Sequence, residues 1–226
     1  DYGVVPVETS TGGGVSDTLD RFTSSNLSII NELMMRIRQN LLSKCRREDI
    51  VRVYSKAQPF AQCRNWLKAN LPNAEQIEVS STAEAARIAA EEPGAAAIAS
   101  RLAADTYGLD VAFAGIEDNV HNYTRFFVIG RHRAKPSGKD KTSLVCAIKD
   151  RPGGLYAILL PMSERGINMT RIESRPSKKK AWDYVFFIDF LGHADDPAVK
   201  EALDAVAAQC SELRVLGSYP HGDLVE

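Results

Sequence analysis

The chain has 226 residues, of which 44% are hydrophobic and 25% are charged, a composition typical of a globular protein long enough for more than one domain. The formal net charge is −1, so the charge favours neither nucleic acid nor an acidic membrane surface as a partner. No apolar run approaches the roughly 20 residues that a membrane-spanning helix needs.

The first part of the chain alternates strand-like apolar runs with segments of helical periodicity. Residues 2–8 predict a buried strand, and the glycines at 12–14 precede a helix with Leu19 and Phe22 on its apolar face. Such alternation is typical of an α/β fold with largely parallel sheets. The other predicted elements are strands at 27–33, continuing towards Leu42, and at 50–54, a helix at 58–68, a helix after the capping box of Ser81 and Glu84 that ends near Pro93, a strand at 95–99, a helix at 100–107, and strands at 111–116 and 124–129.

The last third of the chain predicts a separate small domain. The polar segment 132–141, HRAKPSGKDK, is typical of a linker. The order β-α-β-β-α-β that follows it predicts a ferredoxin-like α+β fold. Its predicted elements are strand 142–148, helix 153–165, strands 167–173 and 183–191, a helix with Asp196 as N-cap and Pro197 at its first position, and strand 213–219.

Polar side chains follow several of the predicted strands. In open α/β sheets ligands bind at the carboxyl ends of strands, and the free N–H groups of helix starts attract anions. Taken singly, each of these segments is explained by a capped helix or a strand that turns. Together they predict one polar, anion-binding cleft formed by strand-end segments at 8–10, 54–58, 81–82 and 122–126.

The cysteines and histidines predict no metal site. Cys45, Cys63, Cys146 and Cys210 are widely spaced and form no CxxC motif, and the four histidines lack ligand spacing. Reduced thiols in a cytoplasmic protein are the expected state of such cysteines.

Five segments resemble, in order and spacing, the motifs of prephenate dehydratases. Two later segments, IKDRPGGLYAIL at 148–159 and GINMTRIESRP at 166–176, resemble the signatures of the ACT domain that is fused to these enzymes. The resemblance covers essentially the whole chain. The five segments are VVPVETS at 4–10, VYSKAQPFAQCRNWL at 53–67, STAEAA at 81–86, IEDN at 116–119 and NYTRFFVIG at 122–130.

The resemblance implies an activity and a fold. The family converts prephenate to phenylpyruvate, with loss of water and carbon dioxide, in phenylalanine biosynthesis and without a metal or organic cofactor. It implies a two-lobed α/β catalytic domain like a periplasmic binding protein at 1–133, with the substrate between the lobes, a linker at 134–141 and an ACT domain at 142–226. Family members open with a glycine-rich segment that is absent before Asp1, so we expect an incomplete first lobe and little activity from this chain by itself.

Carried over residue by residue, the resemblance implies catalytic roles for Thr124, Glu8, Ser55 and Gln62. The Thr124 hydroxyl would donate to the departing oxygen. Two positions depart from the family pattern, because Thr9 replaces the usual Asn and Lys56 replaces the usual His. The implied substrate contacts are Thr9, Ser10, Gln58, Ser81, Thr82, Asn122, Arg125 and Phe126.

The ACT resemblance implies feedback inhibition by L-phenylalanine. The free N–H groups of the strand-to-helix turn at 151–155 suit a ligand carboxylate, and the segment 173–176 is predicted to form a polar turn. ACT domains of the family pair, which implies a homodimer or homotetramer. The implied effector contacts are Gly153, Gly154, Leu155, Asn168, Glu173, Ser174, Arg175 and Pro176.

Three functions remain open from the sequence. The first is a prephenate dehydratase that binds prephenate and is regulated by L-phenylalanine, with no nucleic acid or membrane as partner. The second is an arogenate dehydratase, which acts on the amino analogue of prephenate. The third is a non-catalytic amino-acid-binding module. Turnover of the two substrates distinguishes these functions.

Overall fold

The computed structural model describes residues 1–148, 151–177, 184–222 and 224–225. It divides into two compact units, Asp1–Met35 with Tyr123–Glu226, and Arg36–Asn122. The first unit contains the strands predicted at 2–8 and 124–129 together with the ferredoxin-like segment. In the described part of the chain, none of the helices has the length and apolar character needed to cross a membrane.

The elements follow one another as the sequence predicts, with shifted ends. In chain order they are β1 (Gly3–Thr9), β2 (Gly13–Gly14), α1 (Ser16–Phe22), β3 (Ser28–Arg36), β4 (Asn40–Ser43), a 3₁₀ turn (Arg47–Asp49), β5 (Arg52–Ser55), α2 (Ala57–Gln62), α3 (Arg64–Asn70), β6 (Glu75–Glu78), α4 (Thr82–Glu91), β7 (Ala95–Ala99), α5 (Arg101–Tyr107), β8 (Asp110–Phe113), β9 (Tyr123–Gly130), β10 (Asp140–Ile148), α6 (Gly154–Glu164), β11 (Met169–Pro176), β12 (Tyr184–Leu191), α7 (Pro197–Gln209), β13 (Cys210–Pro220) and β14 (Leu224–Val225).

The ferredoxin-like prediction for the C-terminal part is confirmed. Its sheet has the order β11-β12-β10-β13, with every pair antiparallel. One face packs on α6 and α7 through a core that includes Leu144, Ile158 and Val206. The other face carries Val145 and Tyr219 into a core shared with the first sheet of the same unit.

That first sheet has the order β14-β3-β9-β1-β2. β1 is antiparallel to both β2 and β9, and its buried Val7 packs in a core with Leu19, Phe127 and Tyr219. Residue 223 lies outside the described residues, and β14 pairs in parallel with β3. β1 and β9, which carry the candidate residues Glu8 and Thr124, therefore share one core with the C-terminal domain.

The second unit holds a sheet of order β6-β5-β7-β4-β8. β6, β5 and β7 are mutually parallel, whereas β4 is antiparallel to β7 and β8. The prediction of largely parallel sheets was therefore wrong for both units. Parallel pairing follows from helical crossovers, and β4 is entered by the chain arriving from β3 rather than through a crossover helix.

The single helix predicted at 58–68 was also wrong. The backbone leaves helical geometry at Cys63, with φ −116° and ψ 15°, which separates α2 from α3. The Asp118 carboxylate accepts hydrogen bonds from the N–H groups of Asn65 and Trp66, at 3.0 and 3.1 Å. These donors would otherwise need the preceding helical turn, so a residue far along the chain sets the start of α3.

The helix caps follow the predictions only in part. The Ser81 hydroxyl accepts from the Glu84 N–H at 3.0 Å, as predicted, but both Glu84 carboxylate oxygens bind Arg87 instead of reaching back. Pro197 begins α7 as predicted, whereas the Asp196 carboxylate accepts from the His193 N–H at 2.8 Å and provides no side-chain cap.

Candidate active site

The antiparallel pair β1–β9 places the first catalytic candidates side by side. Thr9 lies opposite Thr124 and Glu8 lies opposite Arg125. The Ser10 N–H donates to the Tyr123 carbonyl at 2.8 Å, and the Ser10 hydroxyl accepts from the Tyr123 N–H at 2.9 Å. The end of β1 is therefore fixed against the start of β9, directly before Thr124.

Neighbouring side chains on β9 face opposite sides of the sheet. Arg125 and Phe127 face the C-terminal domain, because Arg125 bonds with Asp189 and Phe127 packs on Tyr219. Thr124 and Phe126 consequently face the other side of the sheet. Thr124 is 8% exposed, which suits a donor hydroxyl held in a fixed geometry.

The Arg125 guanidinium is bonded inside the first unit. Its Nε and Nη2 lie 2.7 and 2.6 Å from Glu32 Oε2, Nη1 donates to Asp189 at 2.5 Å, and Nη2 donates to the Tyr219 hydroxyl at 3.1 Å. The charge also lies 4.9 Å above the Phe127 ring. Contact between Arg125 and a substrate carboxylate would require one of these bonds to break.

Two further groups complete this buried network. Lys141 Nζ lies 3.0 Å from Glu32 Oε1, and the Gly222 N–H donates to the same oxygen at 3.0 Å. Burial alone raises the pKa of Glu32, but Arg125, the Gly222 N–H and Lys141 outweigh it, so that the pKa lies below the ordinary 4.5. Burial, followed by the charge of Asp189, raises the pKa of Tyr219 well above its usual value.

The lowered pKa of Glu32 predicts an acid-sensitive fold. The stabilisation is fully present above the ordinary pKa of 4.5 and is lost as the pH falls through the lower pKa of the folded state. We expect the free energy of unfolding, measured with urea between about pH 7 and pH 3, to fall less steeply in Glu32→Gln than in the wild type. The control is Glu164→Gln, which removes an exposed carboxylate. Equal slopes for Glu32→Gln and the wild type would contradict this assignment.

The second unit places its candidates at the carboxyl ends of parallel strands. Ser55 ends β5, is fully buried, and donates its hydroxyl to the Ile98 carbonyl at 2.8 Å. Gln58 is exposed on α2, and the Gln62 amide oxygen accepts from Gln39 Nε2 at 2.9 Å. The carboxyl ends of these strands therefore carry the predicted polar side chains, and Ser55 among them is bonded to the scaffold.

The same edge carries the start of α4. Ser81 caps this helix through the Glu84 N–H, and Thr82 is its first residue. At the end of this unit, Asn122 is 2% exposed and its carbonyl accepts from the Ile37 N–H at 2.8 Å. The Asn122 amide nitrogen has no hydrogen-bond partner among the described residues. A buried donor of this kind is costly unless a ligand or water completes it.

The sequence matches two family models. The prephenate dehydratase model matches residues 1–134, and the ACT domain model matches residues 142–208. The chain belongs to the prephenate dehydratase family. The predicted family and the predicted ACT domain are thereby confirmed.

Known relatives agree with this membership. The bifunctional chorismate mutase/prephenate dehydratase of Aquifex aeolicus is 48% identical over 227 residues, covering 100% of this chain and 63% of that relative. The chain thus spans less than two thirds of that protein. The crystal structure of the prephenate dehydratase of Arthrobacter aurescens in complex with L-Phe has a TM-score of 0.89 at 37% identity, covering 98% of this chain and 75% of the other. GqqA, described as a novel type of quorum quenching acylase, has a TM-score of 0.87 at 29% identity, covering 97% and 82%.

The ACT domain presents the predicted effector residues on two elements. Gly153 adopts a left-handed φ of 77° before α6, a conformation that favours glycine. Gly154 is buried, Leu155 is 38% exposed, and Asn168 is exposed with its carbonyl accepting from the Leu191 N–H at 2.9 Å. The Gly154 N–H donates to the Arg151 carbonyl at 3.0 Å, so this member of the predicted set of free N–H groups is already bonded.

The segment 173–176 is a strand and not the predicted turn. β11 continues to Pro176, which lies opposite Tyr184 of β12, with Ser174 opposite Phe186. Proline is tolerated there because β11 is an edge strand. Arg175 donates to Asp20 and Ser16 of α1, at 3.0 and 2.9 Å. The predicted effector segment consequently contacts α1 of the same unit.

Sequence reasoning missed the partners of Arg125. Glu32 is the one acid of β3, and Asp189 is the one acid of β12. The sequence signal for such partners is a single acidic residue within an apolar strand, since a buried carboxylate requires a partner. Arg171 was also missed, and its side chain is only 7% exposed. Within the described residues, no three His, Cys, Asp or Glu side chains are grouped to hold a metal ion.

Proposed function

We propose that this protein is a cytoplasmic prephenate dehydratase, which converts prephenate to phenylpyruvate in phenylalanine biosynthesis. The main support is the prephenate dehydratase match over residues 1–134, combined with the position of Thr124 opposite Thr9, the neighbour of Glu8, on the paired strands β9 and β1. Four cysteines without CxxC spacing agree with a reducing compartment.

The proposed mechanism requires orientation and one well-placed donor. Prephenate carries two carboxylates and a ring hydroxyl opposite one of them. When hydroxide and carbon dioxide leave, the ring becomes aromatic, so the reaction is intrinsically favourable. Thr124 donates its hydroxyl to the departing oxygen, a contribution of about 10²–10³ in rate by analogy with one oxyanion-hole donor. Glu8 is the proposed proton source; its carboxylate lies near Arg125 and Arg171, on the face of the sheet opposite to Thr124, so this role requires the Glu8 side chain to move.

The substrate carboxylates need donors that are not already saturated. Asn122 offers a buried amide nitrogen, and the start of α4 at Ser81 and Thr82 offers backbone N–H groups and a favourable helix dipole. Ser55 and Gln62 are proposed to shape the site through their bonds to Ile98 and Gln39. The remaining proposed contacts are Thr9, Ser10, Gln58, Arg125 and Phe126.

We further propose that L-phenylalanine binds the ACT domain and inhibits catalysis. The support is the ACT match over residues 142–208 and the L-Phe complex of the Arthrobacter aurescens relative. The ligand carboxylate would meet the N–H groups at the start of α6, where the Gly154 N–H would first have to leave the Arg151 carbonyl, to which it donates at 3.0 Å. Inhibition requires different affinities for two conformations of the enzyme, and pairing of ACT domains in a homodimer or homotetramer would provide them.

Kinetics of the full-length enzyme on prephenate and on arogenate, measured side by side, test the function. We expect kcat/KM to be higher for prephenate, and turnover to fall when L-phenylalanine is added. A preference for arogenate would replace the proposal with an arogenate dehydratase. Phenylalanine binding without turnover would indicate a binding module. Acylase activity without either dehydration would indicate an activity like that described for GqqA.

A further inference from the structure

Arg171 of the ACT domain lies beside a candidate catalytic carboxylate. It belongs to β11, opposite Asp189 of β12, and its side chain is 7% exposed. Its Nε lies 3.7 Å from Glu8 Oε2, and its Nη2 donates to the Glu173 carboxylate. One buried guanidinium therefore bridges Glu8 and the strand that carries the proposed effector segment.

The same Glu8 oxygen has a second arginine nearby. Arg125 Nη1 lies 3.5 Å from Glu8 Oε2, and this nitrogen also donates to Asp189 of the ACT domain. Glu8 is thus placed by two buried cations, one on β11 and one bonded to β12. Both distances exceed those of direct charge-assisted hydrogen bonds, so a small shift of either strand changes the field at Glu8.

Three alternate side chains of β11, those of Arg171, Glu173 and Arg175, contact β1, β2 and α1. A Cβ added to Gly14 would clash with the Glu173 carboxylate, so this carboxylate packs directly against β2. Gly14 is in turn the register partner of Glu8. Arg175 binds Asp20 and Ser16 on α1. A movement of β11 would therefore change the contacts at the end of β1.

We infer that Arg171 is a positioning residue for Glu8 and carries the effector signal from β11 to the active site. The regulatory part of this inference rests on the proposed function, whereas the positioning part does not. Effector binding at 173–176 shifts Arg171 between its two carboxylate partners, Glu173 and Glu8. β1 then has different contacts in the effector-bound and effector-free states. Inhibition requires such a difference between two states.

Arg171→Gln and Arg171→Lys in the full-length enzyme test this inference. Arg165→Gln is the matched control, because Arg165 is an ACT-domain arginine paired with Glu164 and Glu201 on the surface. We expect hydrogen exchange of the Ser10 amide, which bonds to Tyr123, to be at least about fivefold faster in Arg171→Gln. We expect kcat to fall about tenfold with KM within about twofold, since misplacement of a reacting group acts on kcat.

The effector response is the second readout. We expect the concentration of L-phenylalanine needed for half-inhibition to rise at least about fivefold in Arg171→Gln, the lower end of usual allosteric couplings, while calorimetry shows that the ligand still binds. Arg171→Lys keeps the charge and is expected to recover part of each effect. If the wild type does not turn over prephenate, the proposed function is wrong. The positioning role of Arg171 is then tested by hydrogen exchange of the Ser10 amide alone. Exchange in Arg171→Gln that equals exchange in Arg165→Gln would overturn the inference.

Discussion

Replacing Thr124 with Ala is expected to lower kcat for prephenate by about 100-fold or more, with the fold intact. The methyl and hydroxyl of Thr124 are nearly buried on β9, and the backbone pairing with Thr9 is independent of the side chain. The substitution therefore removes a donor without removing a strand contact. Steady-state kinetics at saturating prephenate, with circular dichroism as the check on folding, measure the effect.

Two controls separate chemistry from packing. Thr124→Ser keeps the hydroxyl and should stay within about tenfold of the wild type, because the donor remains in place. Thr106→Ala removes a hydroxyl that bonds to the Leu102 carbonyl on the exposed face of α5, and should leave kcat unchanged. A normal kcat for Thr124→Ala would remove Thr124 from the mechanism.

Replacing Arg125 with Met is expected to cost about 3–5 kcal/mol of unfolding free energy, because it leaves buried carboxylates without their cation. Asp189 is the more affected partner. Glu32 keeps Lys141 and the Gly222 N–H, whereas the described charge partner of Asp189 is Arg125. Since these contacts join β9 to β3 and β12, the loss should appear in the main unfolding transition of the first unit.

Arg52→Met is the matched comparison. Arg52 also makes a short ion pair, at 2.7 Å from Glu92, but the two side chains are 38% and 28% exposed. Exposed pairs contribute at most about 1 kcal/mol, since water screens both charges. Urea denaturation of both variants gives the two free energies. Equal losses for Arg125→Met and Arg52→Met would show that the buried network does not stabilise the unit.

The local sequence pattern predicted the fold of the C-terminal domain and many of the other secondary-structure elements. The buried strand at 95–99, the cap by Ser81 and the start of α7 at Pro197 are each determined by neighbouring residues. The break at Cys63 escaped prediction because its cause, Asp118, lies more than 50 residues further along the chain. The strand at 173–176 escaped because edge pairing outweighs the turn preference of Pro176.

The candidate site likewise contains residues that the sequence predicted and residues that it did not. Thr124 and Glu8 were predicted because they stand in motifs, and the pairing of β1 with β9 places Thr124 opposite Thr9, one residue from Glu8. The buried charges around Arg125 were not found, because their partners are 64 to 94 residues away along the chain. Strand order alone brings them together, and neither periodicity nor motif spacing predicts strand order.

The most direct test of the account is the conversion of prephenate by the full-length enzyme, followed as phenylpyruvate and carbon dioxide together. We predict one carbon dioxide for each phenylpyruvate, at a rate that the identically purified Thr124→Ala variant does not approach. Phenylpyruvate formation no faster than in that variant, or in the absence of enzyme, would contradict the proposed dehydratase.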